Sequence, residues 1–338
     1  MLRAVTSTIV LTTLLAATDA PSAPVGDPAT RAVGRFIGED TFAVVHVDTS
    51  RLEPAGMRQW VAPGSAGGDT AESDQGRPQV KPPPMMEAAA HWVERANRAG
   101  VEDVYLVIKF QPRGLPVPAV VVPVTSGDDA IAIQTLISPA EGWPAARVWG
   151  DFTTATVGDA IVLAPREALA RFHDAKPTSP AWMSSALAAV GPRAVRAAMA
   201  PGVQMKVMIE GAANGLLDDP LAGDPRGFPE AVRWVGLGLG APPDGTLQLI
   251  IQADRPDAAD YLAKDIQQLL ESAKAAGALQ SFVSDPVRFI KTITPKVQGN
   301  QVVLTLTGQQ VAELLSQFRS KAAQRRSEAP NKLPAGGR

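Results

Sequence analysis

The chain has no cysteine among its 338 residues. That absence excludes disulfides, thiol nucleophiles, thiolate metal sites and a lipid-modified amino-terminal cysteine. It does not fix the compartment, because many exported proteins lack disulfides. Aromatic residues make up 5% of the chain, too few for a stacking platform for single strands or an aromatic strip for sugars. Histidine occurs three times, as His46, His91 and His173. A basic excess is also missing: the net charge is −2, which argues against a nucleic-acid partner. The charge is unevenly placed. From Arg319 onward there are six Lys/Arg and one Glu, so the tail carries +5 and the remainder −7. The opening apolar run, Ala4–Ala17, falls short of the ~20 apolar residues of a membrane span.

That run does fit an export signal. Arg3 supplies a short positive region, small residues follow the apolar stretch, and Thr18-Asp19-Ala20 suits a small-x-small cleavage rule although Pro21 follows it. The sequence thus predicts an exported protein, periplasmic or extracellular, with no integral membrane span in the mature chain.

Beyond the signal, period-2 and helical periodicities alternate. Pro295–Phe318 reads as strand, glycine turn at Gly299-Asn300, strand and helix. Thr154–Phe172 repeats the arrangement around Gly158-Asp159. Two copies of one unit follow from this echo. Expected strands of the first copy are Thr41–Thr49, Val104–Phe110, Val117–Thr125, Arg147–Val157 and Ala160–Leu163, and its helices are Met85–Ala99, one ending at Ile137, and Pro165–Phe172. The second copy is expected to place strands at Val203–Glu210, Val235–Gly240 and Thr246–Ala253. Its helices are a short one at Phe228–Arg233, Pro256–Ala276 and Phe282–Ile293, ahead of the closing hairpin and helix. The fold class predicted is α+β, two tandem ferredoxin-like units with antiparallel sheets and helices mainly on one face. The boundaries are an export signal at 1–23, a spacer at 24–40, a first unit at 41–173 with a disordered insertion at 62–84, a helical linker at 174–200 broken at Gly191-Pro192, a second unit at 201–318, and a basic disordered tail at 319–338.

The layout, carried by FIGEDTFAVVHVDTSRL near the start and PKVQGNQVVLTLTGQQVAELL at the close, resembles exported proteins of planctomycete-type bacteria with a duplicated α+β unit. The resemblance covers about residues 36–318 and brings no catalytic motif with it.

Candidate chemistry is sparse. Gly236, Gly238 and Gly240 match the form of a dinucleotide fingerprint, but Pro242-Pro243-Asp244-Gly245 and another strand follow where that fold needs a helix. On a strand face with Trp234, these glycines allow close approach by a helix or by a ligand. The helix at Pro256–Ala276, with Leu262, Ile266 and Leu269 inward, is the expected cover, and a ligand groove is the alternative. His46 and Asp48 share one strand face and are the candidate metal ligands, while His91 falls on a solvent face and His173 at a helix end. Asp218, Asp219 and Asp224 lie in a loop without the spacing of a calcium loop. Ser65 lies in the insertion without a nucleophile-elbow glycine pattern. No cofactor is implied. Two functional classes stay open: a non-enzymatic module of the cell envelope that binds a protein or an envelope surface, or a hydrolase whose polar groups meet only in three dimensions.

Protein recovered from its native host should lack residues 1–23. Amino-terminal sequencing that finds Met1 or Leu2 on that material would contradict the export reading.

Overall fold

Most strands expected from alternation form, and they join into one sheet. The computed structural model describes residues 33–38, 40–61, 84–109, 117–124, 130–138, 152–173, 180–200, 231–241 and 245–328. Within them the strands are β1 (Thr41–Asp48), β2 (Asp103–Lys109), β3 (Val117–Pro123), β4 (Phe152–Val157), β5 (Ala160–Pro165), β6 (Val195–Met199), β7 (Val232–Leu239), β8 (Leu247–Ala253), β9 (Lys296–Gln298) and β10 (Gln301–Leu306). The helices are α1 (Pro54–Val61), α2 (Pro84–Arg98), α3 (Ala130–Ile137), α4 (Arg166–His173), α5 (Ala181–Ala189), α6 (Pro256–Ala275), α7 (Pro286–Thr292) and α8 (Gly308–Glu328). All neighbouring strands run antiparallel, in the order β4-β5-β3-β2-β1-β6-β7-β8-β10-β9.

That order corrects the ferredoxin-like expectation. A split β-α-β unit keeps its first two strands apart, whereas β1 pairs directly with β2, His46 opposite Tyr105. The α2 helix is therefore an excursion between two adjacent antiparallel strands and not a parallel crossover. Read outward from the β1/β6 pair, five strands on each side follow the same sequence of connections: β1-β2-β3-β5-β4 and β6-β7-β8-β10-β9. The Gly158 and Gly299 turns, with φ of 63° and 60°, each join the two outermost strands of their half. Both torsions lie where glycine is favoured.

Cross-strand partners share a face, which sorts the core into two layers. On the front face lie Val44, Val107, Ala119, Val162, Ala198, Trp234, Ile250 and Val303, covered by Phe36, Phe172 of α4, and Met183, Ala186 and Val190 of α5 and its end. The back face carries two large clusters, with a small third of Leu52, Val93 and Ala194 beside Val47. One large cluster seats Ile133 and Leu136 of α3 on β3 and β5; the other seats Leu262 and Ile266 of α6, Phe289 of α7 and Leu314 of α8 on β8 and β10. Helices thus cover both faces. The β3 strand is apolar throughout because it is flanked by β2 and β5 and covered on both sides.

Two further expectations change. Among the described residues of the 174–200 stretch, 180–200, the helix is α5, and it ends where Gly191 takes φ 67°. The alanine-rich run after it forms β6, which is paired on both edges, Val45 with Ala197 and Ala197 with Leu237. Pairing on both sides overrides alanine's helical preference. The expected tail at 319–338 is also helical up to Glu328, since no glycine or proline interrupts the chain before Pro330. Thr307 and Gln310 start that helix with a reciprocal capping box: the Thr307 amide donates to the Gln310 side chain at 2.8 Å, and the Gln310 amide donates to the Thr307 hydroxyl at 3.3 Å. The β7 strand begins at Val232, so Arg233 belongs to it and not to a short helix. Of the insertion expected at 62–84, Pro84 begins α2 and residues 62–83 lie outside the described residues, as do the Val203–Glu210 strand and the loop carrying Asp218, Asp219 and Asp224.

Leu314 is 5% exposed and packs into the back core, while Leu315 lies at its rim. Leu314→Ala should therefore cost about 2–5 kcal/mol, the range for a buried leucine, and Leu315→Ala less. Denaturant midpoints of the two variants check this. Equal losses would place the helix in a different rotation.

Candidate functional site

The front face carries a run of polar side chains where the two half-sheets meet. There one row of cross-strand partners reads Tyr105, His46, Arg196, Gly238 and Gln248, from β2 through β8. Burial makes every polar atom in such a row answerable for a partner. His46 is 2% exposed. Its Nε2 lies 2.5 Å from Asp103 Oδ1, and its Nδ1 lies 3.0 Å from Arg196 Nε and 2.8 Å from Arg196 Nη2. A guanidinium has donors and no acceptor. Nδ1 must therefore present its lone pair to Arg196, and Nε2 carries the hydrogen donated to Asp103. The ring also stacks on Tyr105, centroids 4.7 Å apart and planes 26° off parallel.

A second guanidinium extends this polar patch into the other half. Arg193 donates to Thr246 Oγ1 at 2.9 Å and to Gln248 Oε1 at 3.1 Å. The candidate glycines make that possible. A Cβ at Gly238 would lie 3.0 Å from Arg193 Cγ and 3.1 Å from Val190 Cβ, and one at Gly236 would lie 2.9 Å from the Ala186 carbonyl oxygen. Gly240 sits against Thr246 and donates its amide to the Thr246 carbonyl at 2.7 Å. Close helix packing therefore explains Gly236 and Gly238, with a correction to the partner. The helix on these glycines is α5, on the front face, whereas Leu262 and Ile266 of α6 pack on the back.

The other sequence candidates do not converge. Asp48 lies two residues from His46 on β1, yet its carboxylate closes its own turn, accepting from Ser50 Oγ at 2.6 Å, Arg51 Nε at 2.7 Å and the Arg51 amide at 3.3 Å. With both ring nitrogens of His46 engaged, the pair is not arranged around a common metal. Among the described residues no group of three or more metal-ligating side chains comes together. His91 is exposed on α2, and His173 ends α4. Asp103, Arg193 and Arg196 escaped the sequence reading. The contacts to His46 span 57 and 150 residues, and no local pattern marks such separations.

Chemically, the chain Asp103–His46–Arg196 is an aspartate–histidine pair with a guanidinium where a hydrolase would place its nucleophile. A guanidinium cannot attack and cannot give up a proton at ordinary pH. The arrangement fixes the imidazole and ties β2, β1 and β6 together.

Two measurements follow from this geometry. Gly236→Val should lower stability by about 1–3 kcal/mol through overpacking and by more than Gly238→Val, because a backbone carbonyl cannot turn aside as Arg193 can. Thermal unfolding ranks the two, and a Gly236→Val protein melting with wild type would remove α5 from this face. For Asp48, burial pushes the carboxyl up, but hydrogen bonds from Ser50 and Arg51 and the Arg51 charge outweigh it, leaving the pKa below the ordinary carboxylate value. A lowered folded-state pKa gives stability that is complete above the unfolded value of about 3.9 and is lost as pH falls through the folded one. The gap between wild type and Asp48→Asn, below about 1 kcal/mol for so exposed a pair, should be widest at neutral pH and close in acid. A gap that widens in acid would contradict the assignment. Compared with protein-family models, curated proteins and solved structures, the chain matches none.

Proposed function

We propose that this is an exported, periplasmic or extracellular protein that acts as a non-enzymatic binding or structural module of the cell envelope. The observation that carries the non-enzymatic part is the saturated Asp103–His46–Arg196 chain. The buried His46 pairs with a half-buried Asp103, and the third member of the chain is an arginine that can neither attack nor take a proton. Such a group serves cohesion. Export rests on the opening Arg3 and the Ala4–Ala17 run.

The halves are, on this reading, copies of one unit, and the layout seen in exported planctomycete-type proteins belongs with it. Supporting this are the identical outward strand order and the matching Gly158 and Gly299 turns. The copies differ at their ends: α4 packs on the front face through Leu169 and Phe172, whereas α8 packs on the back through Val311 and Leu314.

Incubating the purified mature protein with envelope fragments from its host, beside a panel of ester, peptide and glycoside substrates, tests the proposal. Cosedimentation with the envelope and no turnover is expected. Turnover that His46→Gln abolishes would replace the proposal with a hydrolase.

A further inference from the structure

The two ends of the sheet are unlike. At one end, β9 is three residues long, carries Lys296 and follows Pro295, features that discourage another strand from adding. The α6 helix of that half bears charge along its length. At the other end, β4 has the sequence FTTATV, and the α3 helix beside it reads AIAIQTLI. Neither holds a charged residue, in a chain that is 20% charged.

Backbone parity shows which groups of β4 face outward. Val157 and Ala160 flank the two-residue Gly158-Asp159 turn, so they exchange both hydrogen bonds of a closing pair. Alternation then has Ala155 and Thr153 bond inward to β5, while Phe152, Thr154 and Thr156 turn their amides and carbonyls away from it. The sheet ends at β4, and among the described residues nothing bonds those outward groups.

We propose that β4 is the interface for a second copy of this chain, the two strands pairing antiparallel about a two-fold axis at Thr154. Thr154 then stands opposite Thr154 of the other copy, and Phe152 opposite its Thr156, so every outward amide and carbonyl of β4 finds a partner. The composition selects this occupant. A two-fold contact sets a surface against itself, so any charge on it would meet its like across the axis, and β4 and α3 bring none. Ile131 adds an apolar contribution. It is 77% exposed, the highest value among the exposed large apolar side chains described. It lies one turn from Gln134, whose Nε2 donates to Thr154 Oγ1 at 3.2 Å. An axis perpendicular to the sheet brings the second α3, with its own Ile131, to the same face beside the new pair. The sheet continues antiparallel across the axis, as it does at β1 and β6 within one chain. Both free ends of the doubled sheet are then β9, so association stops at two.

Sedimentation velocity of the purified protein from about 1 μM to about 1 mM reads the mass. A rise from one chain to two is expected, with nothing larger. Thr154→Lys and Thr154→Glu each set like charges opposite one another across the axis. Each variant alone should remain a monomer where wild type pairs, and an equimolar mixture of the two should regain the doubled mass. Ile131→Lys, at an exposed site, should melt with wild type and weaken pairing by about 10-fold. Hydrogen exchange followed by NMR should show the Thr154 and Thr156 amides protected in the dimer alone. A single-chain mass across the whole range overturns the proposal, whether those amides exchange freely or are protected by another part of the chain. Assembly beyond two chains, a dimer unchanged by Thr154→Lys, or Lys and Glu variants that stay apart when mixed would each overturn it as well. If the Thr154 variants do not fold, the wild-type mass and Ile131→Lys decide, and a dimer that Ile131→Lys leaves unchanged counts against the interface.

Discussion

Antiparallel pairing of β1 with β6 is the constraint on which this structure depends. Each strand would otherwise be the edge of a five-stranded half-sheet, and an open edge presents unpaired amides and carbonyls to any other chain. Pairing the two edges joins the halves through Ala43–Met199, Val44–Ala198, Val45–Ala197, His46–Arg196 and Val47–Val195. It also decides where the core lies. The front-face cluster runs from Val162 on β5 to Val303 on β10 without a break, whereas the two large back-face clusters stay with their own halves and only the small group of Leu52, Val93 and Ala194 joins them. The α5 helix sits on β6 and β7 beside the junction, where the small Ala198, Gly236 and Gly238 leave it room.

A front face continuous across the junction raises a problem of polarity. His46 and Arg196 are directly opposite each other and both point into the layer that α5 and the amino-terminal segment cover. Two groups of this kind, unpaired, would each cost more than a typical apolar contact returns. Asp103 resolves this by accepting the imidazole hydrogen from one side while Arg196 donates from the other. The junction is thus held by a backbone ladder and by a short chain of charge-assisted hydrogen bonds. Those bonds are directional, so they set the register: a one-residue slip would turn Arg196 to the opposite face. This gives a cohesive role to side chains that would suggest catalysis in another setting.

How much of this the sequence disclosed depended on whether the relevant signal was local. The β9–β10 and β4–β5 hairpins were legible because alternation and a glycine turn lie within a dozen residues. The α6 helix was legible because Pro256 and Gly277 bracket its apolar stripe. The strand β3 announced its interior place through an unbroken apolar run. By contrast, Val195–Met199 carries three small or flexible residues in five and reads as a continuation of α5. Its strand character is supplied by β1 and β7, which lie far away in the chain. The ferredoxin-like inference failed for a related reason, because the order of elements does not state which strands become neighbours. At the candidate site, the close packing of Gly236 and Gly238 was readable and the identity of their helix was not. Asp103 and Arg196 become partners of His46 only once the junction has formed.

The central claim is that the β1/β6 junction makes ten strands into one cooperative structure. Hydrogen exchange measured by mass spectrometry across a denaturant series tests this most directly, following β3 in the first half and β8 in the second. The account predicts that both strands lose protection at the same denaturant concentration, as expected when one global transition exposes them. Loss of protection in one half while the other stays protected would contradict it, and would show two independently folding sheets that merely touch.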